Sequence, residues 1–433
     1  MNSRAYYNPD DEQLAPDALR HLQRCKLAEM LREIVGPNRF YTHKLADLRF
    51  DALNDSLERL PFTTRAELEA DQAANPPYGS NLTYPLHEYS RFHQTSGTGG
   101  RPMRWLDTRQ SWEWLKRLWG TIYTAAAVEP GHRILFPFSF GPFLGFWGAF
   151  DGATMLGNLS IPAGGMTTAA RLRMLVDNRV DVVCCTPTYA LHMAEVAQKE
   201  GIDLAGAPVS KLIVAGEAGG SIPEVRGRIE SAWNARVYDH TGMTETGAVA
   251  FECHPSPGTG VHINEAEYLP EVIDPQTGQG VPEGEPGELV LTSLGRWASP
   301  LIRYRTNDHV RMTRRKCVCG RWFARLEGGI LGRIDDMITV RGNNVFPTAL
   351  EAIIRRFPEV AEFRITVSGA AALAEVQIEV EPTPDCTTAE ALAERVARSI
   401  QDTLSFRAQV LTVPCGSLPR FEMKARRFIK RLN

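Results

Sequence analysis

The stretch from Arg133 to about Glu245 limits the possible folds more than any other part of the chain. RILFPFSF and VDVVCCT are short apolar runs that read as strands. PTYALHMAEVAQKEG follows the second run, with Pro187 placed to open a helix. SKLIVAGEAGG reads as strand into glycine loop, IPEVRGRIESAW as helix, and ARVYDHTGMTETG as strand into loop. Strand, helix, strand, helix, strand at this spacing predicts parallel βαβ units. Ligands then belong at the carboxyl ends of the strands, so the loops that end them are the candidate site.

The flanking regions have a different texture. The first 90 residues read as helix and loop, and residues 250–330 as strand and turn, with PGELVLTSL and PLIRYRTNDHVRM as the clearest strands. After LGRIDDMITVRGNN comes a helix (VFPTALEAIIRRF), a strand pair (EFRITVSG, AEVQIEVEP), a second helix and the strand AQVLTV. In that second helix Leu392, Val396, Ile400 and Leu404 form one apolar stripe. The expected architecture is α/β: a large N-terminal domain over 1–334 and a small, mobile α+β domain over 335–433, with Asp335 at the boundary. A chain of 433 residues fits two or three domains at about 150 residues each.

Charge and composition exclude several classes. The net charge is −3, so no global basic field invites nucleic acid. The tail RFEMKARRFIKRLN holds six basic residues and one acidic one and reads as a solvated basic end. The most apolar uncharged stretch, Ile134 to Phe150, is only 17 residues and is broken by Pro137, Gly141, Pro142, Gly145 and Gly148, so no membrane span is expected. The N-terminus carries no apolar signal core, and eight cysteines are too sparse for a secreted disulfide framework, which makes a reducing cytoplasm the expected compartment.

Thr95, Ser96, Gly97, Thr98, Gly99, Gly100 and Arg101 form the densest run of hydroxyl and glycine residues in the chain. Backbone N–H groups and hydroxyls in such a loop suit a polyphosphate, although no Gly-Lys-Ser/Thr ends it. HQTSGTGGRPMRW resembles the phosphate loop of adenylate-forming enzymes, the acyl-CoA synthetases and their relatives. Farther on, YDHTGMTETG, PGELVLTSL with PLIRYRTNDHV, LGRIDDMITVRGNN and SLPRFEMKARR resemble their remaining motifs in the same order. RGNNVFPT and LPRFEMKARR are most similar to the phenylacetate-CoA ligase family. The chain departs from the usual pattern at Gly99, where threonine is common, and at Arg101, where lysine is common. Arginine keeps the charge and adds a bidentate fork.

The resemblance implies ATP-dependent activation of a carboxylic acid to an acyl-adenylate, then transfer to the thiol of CoA. It implies Glu245 as the Mg2+ ligand, with Thr244 and the loop hydroxyls on phosphate oxygens. Asp308 would accept from the ribose hydroxyls, Arg333 would bind ribose or phosphate, and Lys424 would bridge carboxylate and α-phosphate. Gly216, Glu217 and Ala218 would line the adenine, Tyr238 would stack on it beside Asp239, and Asp335 would be the hinge. Lys430 lies too far into the tail to match the motif lysine. Phe138, Phe140, Gly141, Phe143, Ala215, His240 and Gly242 would form the acid pocket, whose aromatic walls suit an aryl acid.

Cys253, His262, Cys317 and Cys319 make a candidate zinc site, with His254 as the substitute ligand; free reduced thiols are the alternative. Cys184 and Cys185 read as inert core. A carrier-protein thiol or an amine is the alternative acyl acceptor. A non-catalytic nucleotide-binding or zinc-scaffold relative is the reading from another class, and it conflicts with the presence of Glu245 and Lys424. Homodimers are common in the family, but no residue pattern here specifies one.

Overall fold

A computed structural model describes residues 5–95, 102–340, 343–369, 375–422 and 425–432. Within these, a twelve-stranded sheet organises the large domain. Leu159–Pro162, Arg133–Phe136, Val182–Cys185, Lys211–Val214 and Arg236–Met243 lie side by side and parallel, in that spatial order. At Arg236–Met243 the sheet changes character. Its next neighbour, Gly247–Phe251, is antiparallel, and Val261–Ile263, Arg325–Leu326, Tyr304–Thr313, Pro286–Ser293 and Tyr268–Ile273 continue antiparallel. The turn Thr244-Glu245-Thr246 therefore sits at the seam between the two halves.

Local chemistry explains the parallel half. Val182–Cys185 is buried along its whole length, as a strand covered on both faces must be. Thr186 caps the next helix, Pro187–Glu200, by accepting from the Tyr189 amide at 3.1 Å, and Pro187 fills its first turn. That helix ends at Gly201 with φ +67°, a left-handed cap. The helices Thr168–Asp177, Pro187–Glu200 and Pro223–Trp233 cover one face, around Leu172, Tyr189, Val225 and Trp233. Arg109–Ala125 and Leu144–Met155 cover the other, around Trp119, Tyr123, Phe136 and Phe138. These two helices meet closely: a Cβ at Gly152 would lie 2.5 Å from the Trp119 Cβ.

The N-terminal residues are helix and loop and pack on the rest. Pro16–Ile34 buries Leu27, Met30 and Ile34 against Leu269, Leu294 and Ile302 of the antiparallel half. The small domain is a four-stranded sheet in the order Gln409–Thr412, Glu375–Pro382, Val360–Gly369, Phe428–Leu432. The helices Pro347–Arg355 and Ala389–Leu404 contribute to its core through Leu350, Ile354, Leu392, Val396 and Ile400, with Leu404 packed alongside.

One expectation is corrected here. The basic tail is a solvated end only in part. Phe428–Leu432 pairs parallel with Val360–Gly369, and Arg427 is buried in a bidentate contact with Glu362 at 2.6 and 2.9 Å. Arg420 likewise forks onto Glu381. Arg420 and Arg427 have acidic partners far away in sequence, which charge counted over a local window misses, while Arg426, Lys430 and Arg431 are exposed. Among the described residues, no helix is long and apolar enough to cross a membrane.

Filling the contact between the two helices is expected to be costly. Gly152→Val should lower the free energy of unfolding by about 2 kcal/mol through overpacking against Trp119, read by chemical denaturation.

Candidate active site

The register of the parallel strands brings the predicted loops together. Cys185, Val214 and Asp239 are level with one another, so the loops beginning at Thr186, Ala215 and His240 leave the sheet at one edge. The chain goes outward from Arg133–Phe136 to Leu159–Pro162 on one face and returns to Val182–Cys185 on the other. The loop 137–143 thus leaves at a topological switch point, where open α/β sheets form their crevice.

In the loop 215–221, Gly216 has φ +94° and is exposed, so its peptide faces open space. Both oxygens of Glu217 are engaged. One accepts from the Thr188 amide at 2.8 Å, the other from the Ala425 amide at 2.7 Å. Asp239 is buried and accepts from the Ser221 hydroxyl, and a Cβ on Gly220 would collide with its carboxyl group. Burial and the neighbouring Glu252 push the Asp239 carboxyl up to about 7. Asp239 holds the 215–221 loop to the sheet. Tyr238 offers no ring face for stacking: it is 2 % exposed, packed in the core, with its hydroxyl bonded to His254 Nδ1. Side chains alternate along a strand, and Tyr238 is on the face of helices Arg109–Ala125 and Leu144–Met155.

The seam turn is held from below. Arg296 donates from Nη1 to the carbonyls of Thr244 at 2.7 Å and Glu245 at 2.8 Å. Its Nε and Nη2 grip both oxygens of Asp107 at 2.8 and 2.7 Å, and both side chains are fully buried. Burial alone would push Asp107 up, but Arg296 and His93 overcome it and hold the carboxyl below the usual range. Asp107 belongs to Arg104–Thr108, the strand that follows the hydroxyl and glycine loop. At the base of that loop Thr95 pairs with Met103, N to O at 2.9 Å and Oγ1 from the Met103 amide at 3.0 Å. One guanidinium therefore ties the end of the phosphate-type loop to the seam turn.

The candidate carboxylates Glu245 and Asp308 cluster near this brace. Glu245 is buried, and burial pushes its carboxyl up against the pull of Arg65 and Arg333. Among the described residues its ion-pair partner is Arg65, with Nη1 3.4 Å from Oε1. Asp308 faces Arg333 across a strand pair and accepts from its Nη1 at 3.2 Å; burial pushes Asp308 up to about 6 against that pull. Arg333 also binds the exposed Asp335 carboxylate at 3.1 and 3.0 Å, and Lys430 donates to the Asp335 carbonyl at 2.6 Å. Such an array can hold a cation at Glu245 and polar ligand groups at Asp308 and Arg333.

Aromatic residues close the other side. Phe138 stacks on Phe146 at 4.0 Å between centroids, Phe140 meets Trp147 at 4.7 Å, and Phe143 meets Phe146 at 5.9 Å. Gly141 takes φ +51°, and its carbonyl accepts from Trp147 Nε1 at 2.8 Å. His240 is buried with the edge of Trp119 4.5 Å away, and its Nδ1 has no hydrogen-bond partner. Burial pushes it down to about 4, so it is a neutral imidazole at pH 7. Gly242 is exposed at the end of the same strand, where a Cβ would lie 2.6 Å from the Gly247 carbonyl.

Cys253, His262, Cys317 and Cys319 form a separate, buried cluster whose ligand atoms all lie within 4.8 Å of one another. His254 is outside it, exposed and bonded to Tyr238.

Ser96, Gly97, Thr98, Gly99, Gly100, Arg101 and Lys424 lie outside the described residues. Sequence reasoning missed Arg65, Asp107 and Arg296. The last two had a signal: WLDT and LTSLGRW each place one charge in apolar surroundings, which suggests a buried pair.

The chain matches the AMP-binding enzyme family over residues 86–295 and the AMP-binding enzyme C-terminal domain over residues 342–431. It is 31 % identical to a phenylacetate-coenzyme A ligase of Thermus thermophilus, over 96 % of this chain and 97 % of that protein. It is also 31 % identical to one from Pseudomonas putida, over 97 % of each. Among solved structures, 2-hydroxyisobutyryl-CoA ligase in its postadenylation state is 29 % identical and superposes with a TM-score of 0.94, over 99 % of this chain and 93 % of that one. The same ligase in its thioesterification state gives 0.75. The two domains here are disposed as in the former.

Removing the brace has a predictable cost. Asp107→Asn leaves Arg296 buried without a counter-charge and should destabilise the chain by about 3–5 kcal/mol in chemical denaturation. Replacing both residues by apolar ones of similar volume should recover part of that loss.

Proposed function

The chain belongs to the phenylacetate-coenzyme A ligase family of AMP-binding enzymes, and on that footing we propose that it activates an aromatic carboxylic acid with ATP and passes the acyl group to CoA. The observation that carries this reading is the convergence of Glu245, Asp308 and Arg333 at the seam turn of a sheet whose switch-point loop is lined with aromatic rings. In the first step an oxygen of the acid attacks the α-phosphorus and the bond to pyrophosphate breaks. In the second the CoA sulfur, losing its proton, attacks the acyl carbon and AMP leaves.

Each group in the site suits a part of that chemistry. Glu245 is a buried hard-oxygen donor with the Arg65 cation 3.4 Å away, which fits a magnesium ligand. The ion would neutralise charge on the phosphates. Thr244, Thr95 and the loop hydroxyls Ser96 and Thr98 hold phosphate oxygens; Arg101 adds a cation there. Asp308 accepts from the ribose hydroxyls and Arg333 keeps it oriented. The exposed peptide of Gly216, with Ala218, lines the adenine. Lys424 meets the charge that develops between carboxylate and α-phosphate. Phe138, Phe140, Gly141, Phe143, Ala215 and Gly242 surround the acid, and neutral His240 presents its unpartnered Nδ1 to a polar ring substituent. Asp335, in contact with both Arg333 and Lys430, is the hinge between domains 1–334 and 335–433.

Acid-dependent pyrophosphate release should appear with ATP and magnesium when benzoic, hydroxybenzoic, aminobenzoic, phenylacetic and aliphatic acids are compared. An aryl acid should give the highest rate, and CoA should accelerate release and yield a thioester. Release that CoA leaves unchanged would assign the acceptor to a carrier-protein thiol or an amine. No release with any acid would favour the non-catalytic reading. Lys424→Ala should abolish release while ATP still binds.

The cysteine and histidine cluster fits a structural zinc. Cys253 Sγ and Cys317 Sγ are 3.7 Å apart, far beyond a disulfide and close to the edge of a tetrahedron with metal–sulfur bonds of about 2.3 Å. His262 donates from Nδ1 to the Phe323 carbonyl at 3.2 Å, which leaves Nε2 facing Cys319 Sγ at 3.7 Å. Arg325 donates to Cys317 Sγ at 2.7 Å. Thiolates kept for a metal suit the reducing cytoplasm, where we place the reaction. Metal analysis should find about one zinc per chain, and Cys317→Ser should lose it along with several degrees of Tm.

A further inference from the structure

Two contacts bind the tail to the large domain on either side of residues 423–424. On one side the Glu422 carboxylate meets Arg171 Nη1 at 3.0 Å. Arg171 is 2 % exposed, and its other partners, the Ala163 carbonyl and the Tyr189 hydroxyl, are neutral. The tail thus supplies the carboxylate that this buried guanidinium bonds. On the other side the Ala425 amide donates to Glu217 Oε2 at 2.7 Å, while Glu217 Oε1 is fixed by the Thr188 amide at the start of a helix. A carboxylate held by one amide on its own domain is pre-aimed to receive a second from the other. Arg427 adds a contact to the Thr188 hydroxyl at 3.0 Å, so Thr188 touches both the tail and the residue that receives it.

We propose that Glu217 and Arg171 are positioning residues that latch the tail for acid activation and release it for thioester formation. This rests on the reading of the chain as a two-step ligase, and it gives Glu217 a role that its place in an adenine-lining loop did not suggest. The geometry is specific to one disposition of the domains, the postadenylation-like one described above. Neither contact survives if the small domain turns, because each has one end in each domain. Arg171 then exchanges a carboxylate for water or another anion. Charge-assisted hydrogen bonds of this kind are strong enough to bias a domain equilibrium by about tenfold each.

The two half-reactions separate this role from a structural one. Glu422→Lys places a cation against Arg171 and changes an exposed side chain, so folding is spared. It should reduce acid-dependent ATP–pyrophosphate exchange about tenfold or more, and leave thioester formation from supplied acyl-adenylate and CoA within about twofold. Equal loss in both half-reactions, or loss in neither, would overturn the proposal. Hydrogen exchange reads the latch without any activity. In Glu217→Gln the Ala425 amide should lose about tenfold or more of its protection relative to the parent chain, and unchanged protection would overturn the latch. If the parent chain releases no pyrophosphate with any acid, the ligase reading falls, while the exchange measurement still decides whether Glu217 holds the tail.

Discussion

A guanidinium with no exposed surface, Arg296, connects the parts of this molecule that must act together. Its four short hydrogen bonds reach the strand after the phosphate-type loop and the backbone of the seam turn. A buried ion pair contributes little net stability compared with an apolar pair, because desolvation offsets most of the attraction. Its value here is geometric. Two carbonyls and a carboxylate converge on one rigid planar fork, so the turn carrying Glu245 cannot shift without moving the strand Arg104–Thr108. The position of Glu245 is set by that constraint, and the sheet supplies the platform.

Much of this was legible from residue order. The parallel strands announce themselves because each is a continuous apolar run between turn residues, and Thr186-Pro187 and Gly201 mark both ends of a helix. The motif carboxylates Glu245 and Asp308 come together at the seam, and the cysteine and histidine cluster forms with His262. What was not legible depends on partners far apart in sequence. Tyr238 and Asp239 differ by one position on a strand, yet one faces the core and the other the glycine loop, and only strand phase decides which. The basic tail looked wholly solvated because its carboxylates, Glu362, Glu381 and Glu217, come from elsewhere in the chain.

The small domain shows how such long-range pairing builds a separate unit. Its core is complete in itself, with Leu350, Ile365, Ile378, Val396 and Ile400 around one sheet. Among the described residues, polar contacts that cross to the large domain include Arg171 with Glu422, Glu217 with Ala425, Arg420 with Glu195, and Arg356 with Glu224, beside one ring stack of Phe346 on His309. Discrete polar contacts such as these can be broken and remade, whereas a large shared apolar core would weld the domains together.

The switch-point loop has a consequence for how such a chain can diversify. The helix Leu144–Met155 packs on Trp119 through Gly148 and Gly152, and the loop 137–143 is tied by the Pro142 carbonyl to the Gln94 amide at 2.9 Å, on the strand that pairs with Arg104–Thr108. The rings at Phe138, Phe140, Phe143, Phe146 and Trp147 form one patch of consecutive chain. Changing the rings alters that patch, whereas moving the backbone at Pro142 pulls on the strand that leads into the hydroxyl and glycine loop. A descendant gene is therefore free to exchange side chains along this stretch and constrained in its length and backbone path.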